Sequence, residues 1–124
     1  MMKEKKLFKK KVQRQKIDRL RKNHQFRETY RQGRSLATPN TVLYYKKNKV
    51  AVNRAGIVVS KKVGKSVVRH RLKRLYRESL HSLREQLKIG YDLVIIARKG
   101  VDQLSYWDIR TDLRKLLTRG KLMQ

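Results

Sequence analysis

The amino-acid pattern predicts an α+β fold, a two-layer α/β sandwich with its elements in the order α-β-β-(β)-α-β-α. Three observations carry this. Over residues 66–87, Val68, Leu72, Leu75, Ser79, Leu83 and Leu87 recur every three or four positions, with Val67, Tyr76 and Leu80 widening or flanking them. That is the stripe of an amphipathic helix. Residues 91–98 (YDLVIIAR) form an apolar run between Gly90 and Gly100, which reads as a central strand covered on both faces. Residues 41–47 (TVLYYKK) and 55–60 (AGIVVS) have the β-branched and aromatic character of strands.

The remaining elements follow in order. Residues 1–22 hold eleven Lys or Arg against Glu4 and Asp18, with only Leu7, Phe8, Val12, Ile17 and Leu20 as apolar members. Such a segment repels itself and is too sparse for a core, so it is read as a flexible basic arm before a single domain over 23–124. Asn23 suits the N-cap of a short helix, and Gly33 a left-handed position just past its end. Phe26 and Tyr30, four apart, share a face of that helix. Thr38-Pro39-Asn40 punctuates the chain, and Asn48 suggests a turn, with residues 49–52 open to strand or loop. Ser105-x-x-Asp108 is a short-side-chain capping box. It opens a last helix carrying Tyr106, Ile109, Leu113, Leu116 and Leu117 on one side.

Composition bounds the function. The chain has 124 residues with 35 Lys plus Arg and 9 Asp plus Glu, a net charge of +26. One domain with this excess repels itself, and a phosphate backbone is the partner that relieves the repulsion. There is no cysteine, which removes disulfide frameworks, zinc fingers and thiol nucleophiles, and fits a reducing compartment. The longest apolar run, residues 93–97, is far too short to cross a bilayer. No apolar stretch follows the basic N-terminus, as a secretory signal would require.

The charge is organised. At 100° per residue His70, Lys73, Arg74, Arg77, His81 and Arg84 fall opposite the leucines, with Arg71 at the edge of the sector and Arg69 in the first turn. Upstream, residues 60–65 (SKKVGK) add Lys61, Lys62 and Lys65, and Gly64 lets the backbone turn so that the N–H groups of the helix start can face phosphate. A face that only solubilised the helix would intersperse acids, yet Glu78 and Glu85 are the only ones in the segment.

Residues 56–78 (GIVVSKKVGKSVVRHRLKRLYRE) resemble the signature of the bacterial ribonuclease P protein component, and residues 20–35 (LRKNHQFRETYRQGRS) and 91–99 (YDLVIIARK) are similar to the same family. One departure is visible: the family usually has Arg-Asn-Arg where this chain has Arg69-His70-Arg71. A histidine there can still donate a hydrogen bond or stack on a base, and it adds a pH-sensitive group. The resemblance implies the cytoplasmic protein subunit of a ribonucleoprotein that removes the 5′ leader from precursor tRNA, with hydrolysis performed by the RNA subunit and its Mg²⁺. It also implies a left-handed βαβ crossover, which the general right-handed rule does not predict. Lys61, Lys62, Lys65, Arg69, His70, Arg71, Lys73, Arg74 and Arg77 are then expected to contact the catalytic RNA. Phe26 and Tyr30, with Tyr44 on the first strand, are expected to line a cleft for the single-stranded leader, with Arg98 meeting a leader phosphate. Without the resemblance, Phe26 and Tyr30 read first as an ordinary core pair.

A catalytic site of the protein's own is not expected. The acids have no spacing of a two-metal carboxylate site, and His24, His70 and His81 form no ligand set or nucleophile–base pair. No Walker-type loop is present. No cofactor, membrane or obligate protein partner is expected; the partners are the catalytic RNA and precursor tRNA. The competing readings are a ribosomal or ribosome-assembly protein, a protein-only nuclease and a polycationic membrane-surface protein.

Overall fold

The computed structural model describes residues 16–124. One sheet of five strands carries three helices. The strands are β1 (Ile17–Arg19), β2 (Arg34–Ala37), β3 (Thr41–Lys47), β4 (Asn53–Val58) and β5 (Tyr91–Ala97); the helices are α1 (Asn23–Gln32), α2 (Ser66–Ser82) and α3 (Tyr106–Arg119). The sheet order is β1-β4-β5-β3-β2. β1 and β5 run parallel to β4, while β3 runs antiparallel to β5 and β2 antiparallel to β3. The 91–98 run is the central strand, and β4, α2 and β5 form a parallel βαβ unit.

Strand alternation sorts side chains into two layers. Leu43 of β3, Leu93, Ile95 and Ala97 of β5, and the half-buried Ala55 and Ile57 of β4 face the main core. There they meet Leu72, Leu75, Tyr76 and Leu80 of α2 and Ile109, Leu113, Leu116 and Leu117 of α3. Tyr76, read as flanking the stripe, is fully buried, and its hydroxyl lies 2.7 Å from Thr41 Oγ1. Asp112 is also buried and accepts from Thr38 Oγ1 at 2.8 Å, tying α3 to the β2–β3 turn. The opposite sheet face meets α1.

The elements differ from expectation in several places, among them β4, which starts and ends two residues before the expected 55–60, while residues 49–52 form a loop. Two strands were not anticipated, β1 and β2, and β1 lies inside the segment read as a flexible arm. Ile17 pairs with Asn53 and Leu20 is buried, its N–H donating to the Ala55 carbonyl at 2.9 Å. Four cations among residues 16–22 hide a three-residue edge strand whose order comes from β4. The rest of the arm, residues 1–15, lies outside the described residues.

Asn23 is the first helical residue of α1 and Lys22 is the N-cap. Gln25 Oε1 takes over the capping, accepting from the Lys22 N–H at 3.2 Å and the Arg21 N–H at 3.3 Å. Gly33 is extended, φ −82°, and not left-handed. Glycine is needed there for close approach, because a Cβ would collide with the Thr29 carbonyl and lie 2.6 Å from the Tyr45 carbonyl.

The long helix ends at Ser82, and residues Arg84–Gln86 tighten into one 3₁₀ turn. Leu83 and Leu87 stay buried, so the apolar stripe outlasts the helix. The box at the start of α3 forms as expected: Ser105 Oγ accepts from the Asp108 N–H at 3.2 Å, and Asp108 accepts from the Ser105 N–H at 3.0 Å. The Ser105 N–H, and then the Ser105 hydroxyl, which lies 3.0 Å from the same Asp108 oxygen, hold the exposed Asp108 carboxyl below its usual pKa.

Candidate nucleic-acid interface

The face of the sheet away from the main core builds a cleft from two rows of side chains. Register sets Tyr44 of β3, Val94 of β5 and Gly56 of β4 side by side. α1 roofs this row. Its Phe26 ring lies against Gly56, where any Cβ would strike the ring, and Tyr30 meets Tyr44 edge-on at 5.0 Å and 85°. Two residues further along, Val42, Ile96 and Val58 form the next row. All three are only half-buried, and they make an open apolar floor.

The roof residues differ in kind. Phe26 is half-buried and fills a space that Gly56 leaves, so the core-pair reading holds for it in part. Tyr30 is 38% exposed, and its ring pairs with Tyr44 in a form that leaves aromatic surface open. Burial, and then Tyr44, raise the Tyr30 hydroxyl above its ordinary pKa. Arg98 lies one step beyond the floor. Its N–H donates to the Asn40 carbonyl at 2.9 Å and its guanidinium to the Thr38 carbonyl at 3.1 Å. At about 3.3 Å per residue, it sits roughly 13 Å along β5 from the Tyr44 row. The floor therefore runs from the aromatics to a fixed cation.

The same end of the sheet leads into the basic motif. After Val58 the chain buries Val59, turns through Ser60–Val63 with a 3.1 Å backbone bond, and buries Val63. Lys61 and Lys62 are thereby left exposed at the tip. Gly64 sits against Val68, where a Cβ would be 3.0 Å from its side chain, so the loop can close tightly onto α2. Lys65 is the N-cap of α2, with no capping side chain and no acid in the first turn. The first N–H groups of α2 point out of a cationic loop, the arrangement that receives an anion at a helix start.

Along α2 the predicted cations divide into two flanks. His70 and Arg74 are exposed on the crest, Arg74 lying 3.9 Å from Glu78. Arg71 leans towards α3, and its guanidinium donates to the Asp102 carbonyl at 3.2 Å and the Leu104 carbonyl at 3.4 Å. Arg69 and Lys73 are half-buried on the other flank, and Arg69 Nε is buried with no hydrogen-bond partner among the described residues. Arg77 also faces that way. Desolvation, and then the positive charge of Arg19, lower its pKa.

Arg77 and Arg19 rim a groove of about 280 Å³ floored by Ile17, Ala55, Ile57 and Leu80. Arg19 escaped the sequence reading because β1 did. The floor residues Val42, Val58 and Ile96 also escaped it, since only cross-strand register brings them together.

The two buried acids among the described residues, Asp92 and Asp112, are engaged within the fold. Asp92 is buried and takes a two-pronged contact from Arg54 at 2.7 and 2.8 Å, which raises the arginine's pKa. Among the described residues no three His, Asp or Glu side chains converge on one point, and no helix is long and apolar enough to cross a membrane.

Comparison with known proteins places this architecture. The family model described as Ribonuclease P matches residues 5–121. The ribonuclease P protein component of Clostridium botulinum strain Langeland is 49% identical over 106 residues, 85% of this chain and 96% of that protein. The corresponding protein of Caldanaerobacter subterraneus subsp. tengcongensis is 40% identical over 111 residues, 90% of this chain and 96% of that one. A Staphylococcus aureus RNase P protein structure superposes with a TM-score of 0.80 at 32% identity, covering 88% of this chain and all of that one. The RNase P protein from Thermotoga maritima gives 0.76 at 34% identity, covering 82% and 96%. With its signature motif on the α2 start, its aromatic-roofed sheet and these relatives, the chain belongs to the bacterial ribonuclease P protein family.

Proposed function

We propose that this protein is the cytoplasmic subunit that assists the catalytic RNA of ribonuclease P in removing the 5′ leader of precursor tRNA. One observation carries the reading: the open, acid-free start of α2 is preceded by Lys61 and Lys62 and continued by His70 and Arg74 on one exposed face. Lys61, Lys62, Lys65, Arg69, His70, Arg71, Lys73, Arg74 and Arg77 bind the catalytic RNA, with the crest and loop residues meeting phosphates. Arg71 does so from a position fixed by the 102–104 carbonyls. These cations screen repulsion between the two RNAs, and the Mg²⁺ that supports hydrolysis is held mainly by RNA. No protein side chain is a catalytic residue.

The cleft takes the single-stranded leader. Unpaired bases stack on aromatic faces with little demand for sequence. Tyr30 and Tyr44 offer those faces, Phe26 holds the roof in place, and Arg98 receives a phosphate at the far end of the apolar floor. Because mature tRNA lacks the leader, this contact favours precursor over product. Family membership also favours this reading over a ribosomal protein of the same charge.

The test uses 5′-labelled precursor tRNA at low Mg²⁺ with a bacterial ribonuclease P RNA alone, the protein alone, and both together. Leader removal that is strong only in the mixture is the expected result. A mixture no better than a compatible RNA alone overturns the reading, and cleavage by RNA-free protein overturns the assignment of catalysis to RNA.

A further inference from the structure

Trp107, the only tryptophan of the chain, stands in the first turn of α3 with 67% of its surface exposed. An indole left this open gains little from folding, yet its neighbours hold it firmly. Tyr106 packs against the core and meets the indole edge-on at 5.0 Å and 80°. The Arg110 guanidinium lies 5.9 Å from the ring centroid, within cation–π range. That guanidinium is itself anchored, its Nε donating to Ser82 Oγ at the end of α2 at 2.9 Å.

The position matters as much as the exposure. Arg71 ties the basic helix to the carbonyls of Asp102 and Leu104, just before α3, and Arg110 ties α3 to Ser82. Trp107 lies in sequence between these two ties, and the guanidinium that makes the second of them is the one beside its ring. α3 continues outwards with exposed Arg114, Lys115 and Arg119. A pre-oriented aromatic ring, backed by a fixed guanidinium and set among cations, matches the stacking platforms of proteins that bind unpaired nucleotides. Its surroundings favour a polyanion over an apolar protein partner.

We propose that Trp107, with Arg110, is a second base-stacking site: an unpaired nucleotide of the catalytic RNA stacks on the indole while Arg110 neutralises the adjoining phosphate. This extends the RNA contact from α2 onto α3 and rests on the proposed assembly with ribonuclease P RNA.

The indole reports on itself. Full-length protein is titrated with a bacterial ribonuclease P RNA, following complex formation by filter retention and Trp107 by emission and acrylamide quenching. On complex formation the emission changes and the ring becomes protected. Trp107→Ala weakens RNA affinity about 5- to 100-fold, Trp107→Phe keeps most of it, and Trp107→Leu behaves like alanine. All three melt like the parent, because the side chain is outside the core.

Full complex formation with an unchanged, equally quenchable indole overturns the proposal and leaves the assembly reading standing. So does wild-type affinity in Trp107→Ala, while equal rescue by Leu and Phe overturns stacking. Emission that tracks protein concentration without RNA overturns it in favour of self-association. Failure of the wild-type chain to bind the RNA at all overturns the assembly reading, and this inference with it.

Discussion

Phe26 and Tyr30 share one helical face, but in the proposed leader cleft they divide the work between structure and binding. Tyr30→Ala removes a half-open ring together with its edge-on contact to Tyr44, so it weakens precursor tRNA binding by the holoenzyme about 5- to 100-fold, leaves mature tRNA unaffected, and costs about 0.5–1.5 kcal/mol of stability. Phe26→Ala empties the space over Gly56 and destabilises the fold by about 1–3 kcal/mol as well. Paired binding and thermal-melt measurements check both, and equal loss for precursor and mature tRNA would sink the cleft assignment. The i,i+4 spacing was legible in the sequence. The partner of Phe26 was not, because it is the absence of a side chain on a strand thirty residues away. The tie of Arg71 to two carbonyls was equally hidden: a helical wheel gives an azimuth, not what stands beside it.

Elements were legible where their own pattern decides them and blurred where tertiary contact does. The bounds of β3 match the 41–47 run, and the α3 box was readable from Ser105 and Asp108. β1 has no apolar pattern and exists because β4 offers it an edge; β2 is paired by β3 through a three-residue turn. The end of α1 shows the same limit, since Gly33 looks like a left-handed residue but serves a crowded crossing with Tyr45. Both obstacles there are backbone atoms that cannot rotate away. Gly33→Ala is expected to cost about 1–3 kcal/mol, although alanine adopts this φ freely. Chemical denaturation checks this; a neutral or stabilising result would mean that the crossing yields. The junction also sets the lean of α1 over the sheet, so the variant is expected to lose precursor preference along with stability.

For the molecule as a whole, charge and one buried hydroxyl set its response to solution conditions. RNA assembly is expected to weaken steeply with salt, and Lys62→Ala and Arg74→Ala each to lower the log–log slope by about 1. Arg71→Ala lowers it similarly but also lowers the melting temperature, because it unties the loop before α3. An unchanged slope in Lys62→Ala would remove that residue from the phosphate contacts.

Burial pushes the Tyr76 hydroxyl up from 10.0 to about 12, with the Thr41 hydrogen bond opposing. The unfolded chain therefore releases this proton first as pH rises. The stability it confers is full below about pH 10 and is lost between 10 and about 12. Tyr76→Phe gives up about 0.5–1.5 kcal/mol of hydrogen bonding at neutral pH but declines less across that window, as denaturation curves at pH 9 and 11.5 will show.

The strand order carries a consequence for synthesis. β4 and the β2–β3 hairpin both pair with β5, and β5 spans Tyr91–Ala97 of a 124-residue chain. Until the ribosome has delivered that strand, no strand pairing joins the two halves of the sheet, and neither the complete cleft floor nor the central strand beneath α2 exists. The newborn chain is thus a long polycation without its tertiary frame for most of its translation. It emerges beside ribosomal RNA, itself a polyanion, and delayed, non-local closure prolongs that exposure.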